Sequence, residues 1–242
     1  EGMIPEEDAF IVKKLKEAGA IILAKVNLHE FAVWGETVSS ILGQTLNPYD
    51  LTRTPGGSSG GTGAAVAANF GIIGIGTDTI NSVRSPASAC SLVGLRPTVG
   101  LVSRHGIVPY SLTQDTAGPI MRTVEDAAKV MDVIAGYDRK DPATAWSVGK
   151  KPESYTKFLK KDGLKGKRIG ILKSFFGKED VHEEVNRVMQ KSLAAMEAAG
   201  AVMIPVEENI DSDKLVKEVS VHLYDLKEHL NGYLRNLGSR AK

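Results

Sequence analysis

Two serine-bearing loops hold most of the chemistry this sequence can do. The first is Gly56-Gly57-Ser58-Ser59-Gly60-Gly61, and the second runs Gly76-Thr77-Asp78-Thr79-Ile80-Asn81-Ser82-Val83-Arg84. The stretch between them is apolar and rich in small residues, so it can fold back and set the loops face to face. A serine hydroxyl is a poor nucleophile until a base takes its proton. The pair therefore suits a serine nucleophile with a second serine as proton relay. Glycines around a relay serine tolerate unusual backbone dihedrals. A phosphate cradle is the competing reading of Gly56–Gly61, but the run lacks the Gly-Lys-Ser/Thr ending of a P-loop.

Other reactive side chains form no comparable pattern. His29, His105, His182, His222 and His229 share no motif, and no Gly-x-Ser-x-Gly elbow supports a Ser-His-Asp triad. His222 and His229 lie seven apart on one predicted helix and read as a solvated face. No carboxylate–histidine cluster points to a metal, so neither metal nor cofactor is expected. Cys90, between Ala89 and Ser91, reads as a small buried thiol.

The elements that must position the loops follow an α/β pattern. A helix is predicted over 6–18, opened by acids and stopped by Gly19, and a buried strand over 20–24. A tightly packed helix is predicted from Gly60 to Asn69, and a core strand over 72–76. Another helix spans 123–135, with Thr123 and Asp126 in a capping-box-like arrangement. Residues 138–165 are polar and read as a surface excursion. A strand at 167–172, a helix at 181–199, a strand at 201–206 and a long helix at 212–236 follow. The helix-glycine-strand grammar of Leu15–Leu23 returns at Met196–Ile204. Alternating strands and helices argue for an α/β fold with a mixed, largely buried sheet covered by helices on both faces. No linker splits the chain, so one domain over 1–242 is expected.

Composition narrows the function further. The 242 residues are 42% hydrophobic, enough for a sizeable core, and carry a net charge of +1. That balance gives no general pull toward nucleic acid or membrane. No apolar run approaches the roughly 20 residues of a membrane span. A single cysteine excludes an internal disulfide and suits a reducing cytoplasm, the expected location.

The run from Thr54-Pro-Gly-Gly-Ser-Ser-Gly-Gly to Arg104 resembles the amidase signature family of serine hydrolases. Gly19–Phe31 and Val93–Arg104 resemble further motifs of that family, in the same order. The resemblance implies that Ser82 is the nucleophile and that Ser58 passes its proton to a lysine. Ser59 is the rival for the relay, and the pattern favours Ser58. The backbone N–H groups of Thr79, Ile80, Asn81 and Ser82 would form the oxyanion hole, with Asp78 and Arg84 supporting the loop.

Two departures accompany the resemblance. The family's usual glycine pair before the nucleophile is Ile80-Asn81 here. Either the loop needs no positive φ at residue 80, or the oxyanion hole is altered. The catalytic lysine's segment has no match, so the resemblance implies that the chain is a fragment lacking the N-terminal lysine-bearing segment and the C-terminal part. Lys25 sits in a different, non-catalytic motif and is not assigned as base. The implied activity is hydrolysis of a small-molecule or peptide carboxamide to carboxylate and ammonia through a Ser82 acyl-enzyme. Neither nucleic acid nor membrane is expected as a direct partner, and a homodimer is allowed. The motifs around Gly100–Pro109 and Gln114–Pro119 look closer to free-standing amidases than to the transamidating A chain of a glutamyl-tRNA amidotransferase. That transamidating chain, and a catalytically silent homologue with a binding role, are the alternatives.

Overall fold

The computed structural model describes residues 4–207 and 210–237, leaving aside the side chain of Ser212. Two compact units divide the chain, one built from 4–156 and 221–237, the other from 157–207 and 210–220.

The larger unit opens with α1 (Phe10–Glu17), which buries Ile11 and Leu15, four residues apart on one face. Gly19 stops it at φ +89°, a conformation open to glycine. The Ala20 N–H bonds the Leu15 carbonyl (2.9 Å) and the Gly19 N–H that of Lys16 (3.0 Å), the six-to-one and five-to-two closure of a helix end. The buried strand predicted over 20–24 is absent. Ile21 is 83% exposed and Leu23 71%, and no strand pairs with this run among the described residues. An apolar run becomes a strand only where neighbouring backbone satisfies its N–H and C=O groups.

After the small hairpin β1 (Val38–Ser39) and β2 (Gly43–Gln44) comes α2 (Gly60–Ala67), then β3 (Gly74–Asp78), α3 (Arg84–Ala89), β4 (Val93–Gly94) and β5 (Thr116–Met121). These last three strands form one antiparallel sheet in the order β3-β5-β4, with Asp78 opposite Thr116 and Val93 opposite Met121. All six residues of β5 are buried. The sequence reading missed this strand because Gly118 and Pro119 interrupt it, and proline cannot donate to a ladder. The structure accommodates Pro119 where β4 has already ended. Its carbonyl accepts the Leu95 N–H (3.1 Å), so the side lacking an N–H faces an irregular segment.

Helix α4 (Val124–Ile134) packs on β5, and its Ala127, Val130, Met131 and Ile134 join Ile11, Leu15 and Met121 in the core. Thr123 caps it as expected, accepting the Asp126 N–H at 3.0 Å. The predicted surface excursion is only partly one. Asp138, Asp141, Thr144 and Ser147 are buried, because Ser103 and Arg104 bond to the two aspartates.

In the smaller unit, β6 (Arg168–Leu172) and β7 (Val202–Val206) pair in parallel, joined through α5 (Glu183–Ala198). Gly200 ends α5 at φ +91° with the same pair of bonds as Gly19, and here a paired strand does follow. The long helix predicted over 212–236 is divided. A short α6 (Ser212–Lys214) runs into a π-turn, Leu215–Val219, and Ser220 turns to extended backbone (ψ 130°) before α7 (His222–Leu237) begins in the larger unit. Mixed parallel and antiparallel sheets flanked by helices make the fold α/β, as the alternation implied.

Candidate active site

The glycine-serine loop is held by close backbone approach. Thr37, fully buried, donates its hydroxyl to the Gly56 carbonyl (2.9 Å) and accepts the Gly60 N–H (2.9 Å). The Ser58 carbonyl accepts the His29 N–H at 2.9 Å. A β-carbon on Gly57 would stand 2.3 Å from the Glu36 carbonyl oxygen, and one on Gly61 2.2 Å from that of Asn27. These glycines are therefore required where the loop meets residues 27–37, and the Gly57–Ser58 peptide is cis.

The two serines of this loop have different surroundings. Ser59 Oγ lies against β3, accepting the Thr77 N–H (3.1 Å) and donating to the Thr77 carbonyl (3.2 Å). Gly76 makes this approach possible, since its added β-carbon would come within 2.9 Å of Ser59 Oγ. Ser58 Oγ is buried and has no hydrogen-bond partner among the described residues. A buried hydroxyl without a partner is costly, and each such group calls for an explanation.

The second loop turns around Asp78, which is wholly buried at the end of β3. Its carboxylate accepts the Val83 N–H (3.0 Å), Arg84 Nε (3.3 Å) and Arg96 Nη1 (2.6 Å). Arg84 also donates to the Ile80 carbonyl, and Arg96 to the Asp78 carbonyl and to that of Gln114 (2.8 Å). Asp78 and Arg84 thus brace the turn, joined by Arg96, which the sequence reading did not single out. Neither Ile80 nor Asn81 has positive φ, so the β-branched residue sits there without a left-handed backbone. The N–H groups of Ile80, Asn81 and Ser82 make no hydrogen bond to the described residues. Ser82 is 6% exposed, beside the exposed Ile80 and Asn81.

The loops are neighbours. A β-carbon on Gly56 would lie 2.9 Å from Ser85 Oγ, and one on Gly63 3.1 Å from Pro86 in α3. Ser58 Oγ makes no hydrogen bond to Ser82. Lys25 is exposed.

Sequence reasoning missed the support on the far side of the second loop. Thr79 donates its hydroxyl to Asp115 Oδ1 at 2.5 Å. Asp115 Oδ2 accepts the N–H groups of Tyr110 (2.9 Å) and Ser111 (2.8 Å). Burial pushes the Asp115 carboxyl above its ordinary range, against the pull of these bonds and of Arg104. The only sequence signal was the Gln114-Asp115 pair itself, within a family-like motif. A small cavity of about 20 Å³ borders this region, lined by Thr77, Thr79, Tyr110, Asp115 and Thr116 among others.

The helix-borne histidines correct the reading of a solvated face. His222 is buried and meets Tyr110 edge to face at 5.4 Å between ring centres. His229 Nδ1 accepts the Leu112 N–H (3.1 Å), and Ser111 Oγ donates to Asp225 (2.6 Å). Helix α7 thus grips the segment before Asp115. Cys90 is buried as expected, and burial raises its thiol pKa. Among the described residues no group of three or more His, Cys, Asp or Glu could hold a metal, and no helix is long and apolar enough to cross a membrane.

The α/β fold thus presents the two serine loops side by side. The sequence matches the Amidase family over residues 1–236, and the chain belongs to that family. It is 47% identical over 201 residues to the A component of the glutamyl-tRNA(Gln) amidotransferase of Methanosarcina mazei, covering 83% of this chain and 41% of that protein. In structure it resembles the native peptide amidase of Stenotrophomonas maltophilia, with a TM-score of 0.86 and 42% identity over 95% of this chain and 48% of the other. It also resembles the corresponding amidotransferase component of Thermotoga maritima, with a TM-score of 0.80 and 37% identity over 96% and 49%. The chain spans less than half the length of these relatives.

Proposed function

We propose that the protein carrying this chain hydrolyses a carboxamide C–N bond through an acyl-enzyme on Ser82. The observation that carries the proposal is the contrast between the two loop serines. Ser59 Oγ is committed to both polar groups of Thr77, whereas Ser58 Oγ is buried with its bonds unspent beside the Ser82 loop. A relay hydroxyl must be able to accept one proton and donate another, and Ser58 is the one with that capacity.

In this reading Ser82 Oγ attacks the amide carbon while its proton passes to Ser58, whose own proton moves on to the base. The oxyanion accepts hydrogen bonds from the N–H groups of residues 79–82, of which Ile80, Asn81 and Ser82 are unused among the described residues. The proton returns to the leaving nitrogen, the C–N bond breaks, and ammonia departs. Water then hydrolyses the Ser82 ester to the carboxylate and restores the hydroxyl. The base in this reading is a lysine, and the exposed Lys25 is not assigned to that role. The substrate class is a small-molecule or peptide amide. The family match crosses both compact units, which supports taking them as one amidase-like domain.

A second reading is the A component of a glutamyl-tRNA amidotransferase, favoured by the 47% identity to such a protein. Ammonia release from glutamine, rising when partner chains are added, supports it. Release from peptide amides without partners supports the free-standing amidase. Both require that a fluorophosphonate label Ser82 in the full-length protein, that Ser82→Ala abolish turnover, and that Ser58→Ala cost about 10²–10⁴-fold. Absence of labelling in the folded protein leaves the silent homologue. Unchanged turnover in Ser82→Ala overturns the site.

A further inference from the structure

We infer that Asp115 is a positioning residue for the reaction: through the Thr79 hydroxyl it sets the backbone of the oxyanion loop, and α7 holds Asp115 in place. The inference deepens the reading of Ser82 as nucleophile and rests on it.

The geometry distinguishes positioning from direct participation. An ionised carboxylate is acceptor-only, with about four lone-pair sites. Three are filled from within the chain, by Thr79 Oγ1 at 2.5 Å and by the N–H groups of Tyr110 and Ser111 at 2.9 and 2.8 Å. That leaves little for a substrate. The Thr79 bond has the length of a charge-assisted O–H···O⁻ contact, about 2.5–2.7 Å, so it locks the Thr79 rotamer. Thr79 is also held by its carbonyl, which accepts Gln114 Nε2 at 3.4 Å. Residue 79 is thus fixed by its side chain and its carbonyl, directly before the three unused N–H groups.

Asp115 is anchored in turn. The segment that donates to it is bound to α7 by Ser111 Oγ to Asp225 (2.6 Å) and by the Leu112 N–H to His229 Nδ1 (3.1 Å), while Gln114 Oε1 accepts the Val221 N–H (2.9 Å). On the other side of the loop, Asp78 is fixed by Arg84 and Arg96. The turn therefore hangs between two buried carboxylates. Asp78 is committed to the turn's exit at Val83, and Asp115 to its entry at Thr79.

The test uses the full-length protein and a fluorophosphonate, whose phosphonyl oxygen occupies the same donors as an oxyanion. Its second-order rate of labelling at Ser82 is measured for wild type, Thr79→Val, Thr79→Ser and Asp115→Asn, together with kcat and KM for glutamine or a C-terminal peptide amide. Displacing oxyanion donors by a fraction of an ångström costs about 10–100-fold, in labelling and in kcat, while KM stays within about threefold. Thr79→Ser keeps the hydroxyl and recovers most of the loss, which a role in simple packing would not produce. If Asp115→Asn fails to fold, the Thr79 pair decides. Wild-type labelling rates in folded Thr79→Val overturn the inference and leave the Ser82 reading standing. No labelling of wild type removes both.

Discussion

Thr37→Val tests whether one buried hydroxyl holds the glycine-serine loop. Valine matches threonine in shape, so the change removes a hydroxyl and opens no cavity. Two loop groups lose their partner, the Gly60 N–H and the Gly56 carbonyl, both now 2.9 Å from Thr37 Oγ1. The Ser58 carbonyl, 3.2 Å from the same oxygen, keeps its bond from the His29 N–H. Leaving a buried polar group unsatisfied costs about 1–3 kcal/mol, so two cost about 2–6 kcal/mol. Urea unfolding of the chain is the assay. With a slope of about 2 kcal/mol per molar, the midpoint falls by about 1–3 M and the slope is unchanged. Thr37→Ser retains the hydroxyl and should lose far less. A valine midpoint within about 0.3 M of wild type would mean that Thr37 does not carry the loop, and the account of how Ser58 is held would fail with it.

Two further outcomes follow from the geometry. Arg104 and Asp141 form a buried, doubly bonded pair (2.9 and 2.7 Å), and although burial opposes it, the guanidinium holds the Asp141 carboxyl below its ordinary range. A depressed carboxyl contributes stability that is present above the unfolded value near 3.9 and lost as pH falls through the folded one. Asp141→Asn should therefore destabilise by about 3 kcal/mol at pH 6–8, with the gap to wild type closing below about pH 4 in pH-resolved urea titrations. Gly19 stands at φ +89° with open space where a β-carbon would go, so Gly19→Ala isolates backbone strain. A loss of about 1–2 kcal/mol by thermal or urea unfolding is expected, and no loss would refute the helix-end argument.

Local signals carried most of the secondary structure. Gly19, Gly200 and the Thr123 cap were legible because each acts over a few residues: a positive φ at the first two, a side chain reaching three residues on at the third. β5 was not legible. Its proline is acceptable only because β4 stops short of it, and the length of β4 is no property of residues 116–121. The exposed run at 20–24 failed for the converse reason, since an apolar pattern cannot say whether a pairing strand is within reach. The break at Ser220 likewise separates two helical segments that periodicity joined.

What the residues determined alone was the chemistry on offer: two serine loops, the glycines that let one approach other backbone, and an acidic residue within the second loop. Residue type and short spacing are enough for that, because hydroxyl reactivity and glycine's small size are local properties. Tertiary structure decided which groups are spent. It bound Ser59 to Thr77, left Ser58 without a partner among the described residues, and brought Asp115 to Thr79 across 36 residues. It also turned two helix histidines from an assumed solvent face onto the segment that carries Asp115. A hydrogen bond between distant residues depends on where both ends of the chain between them are fixed, and only the folded packing specifies that.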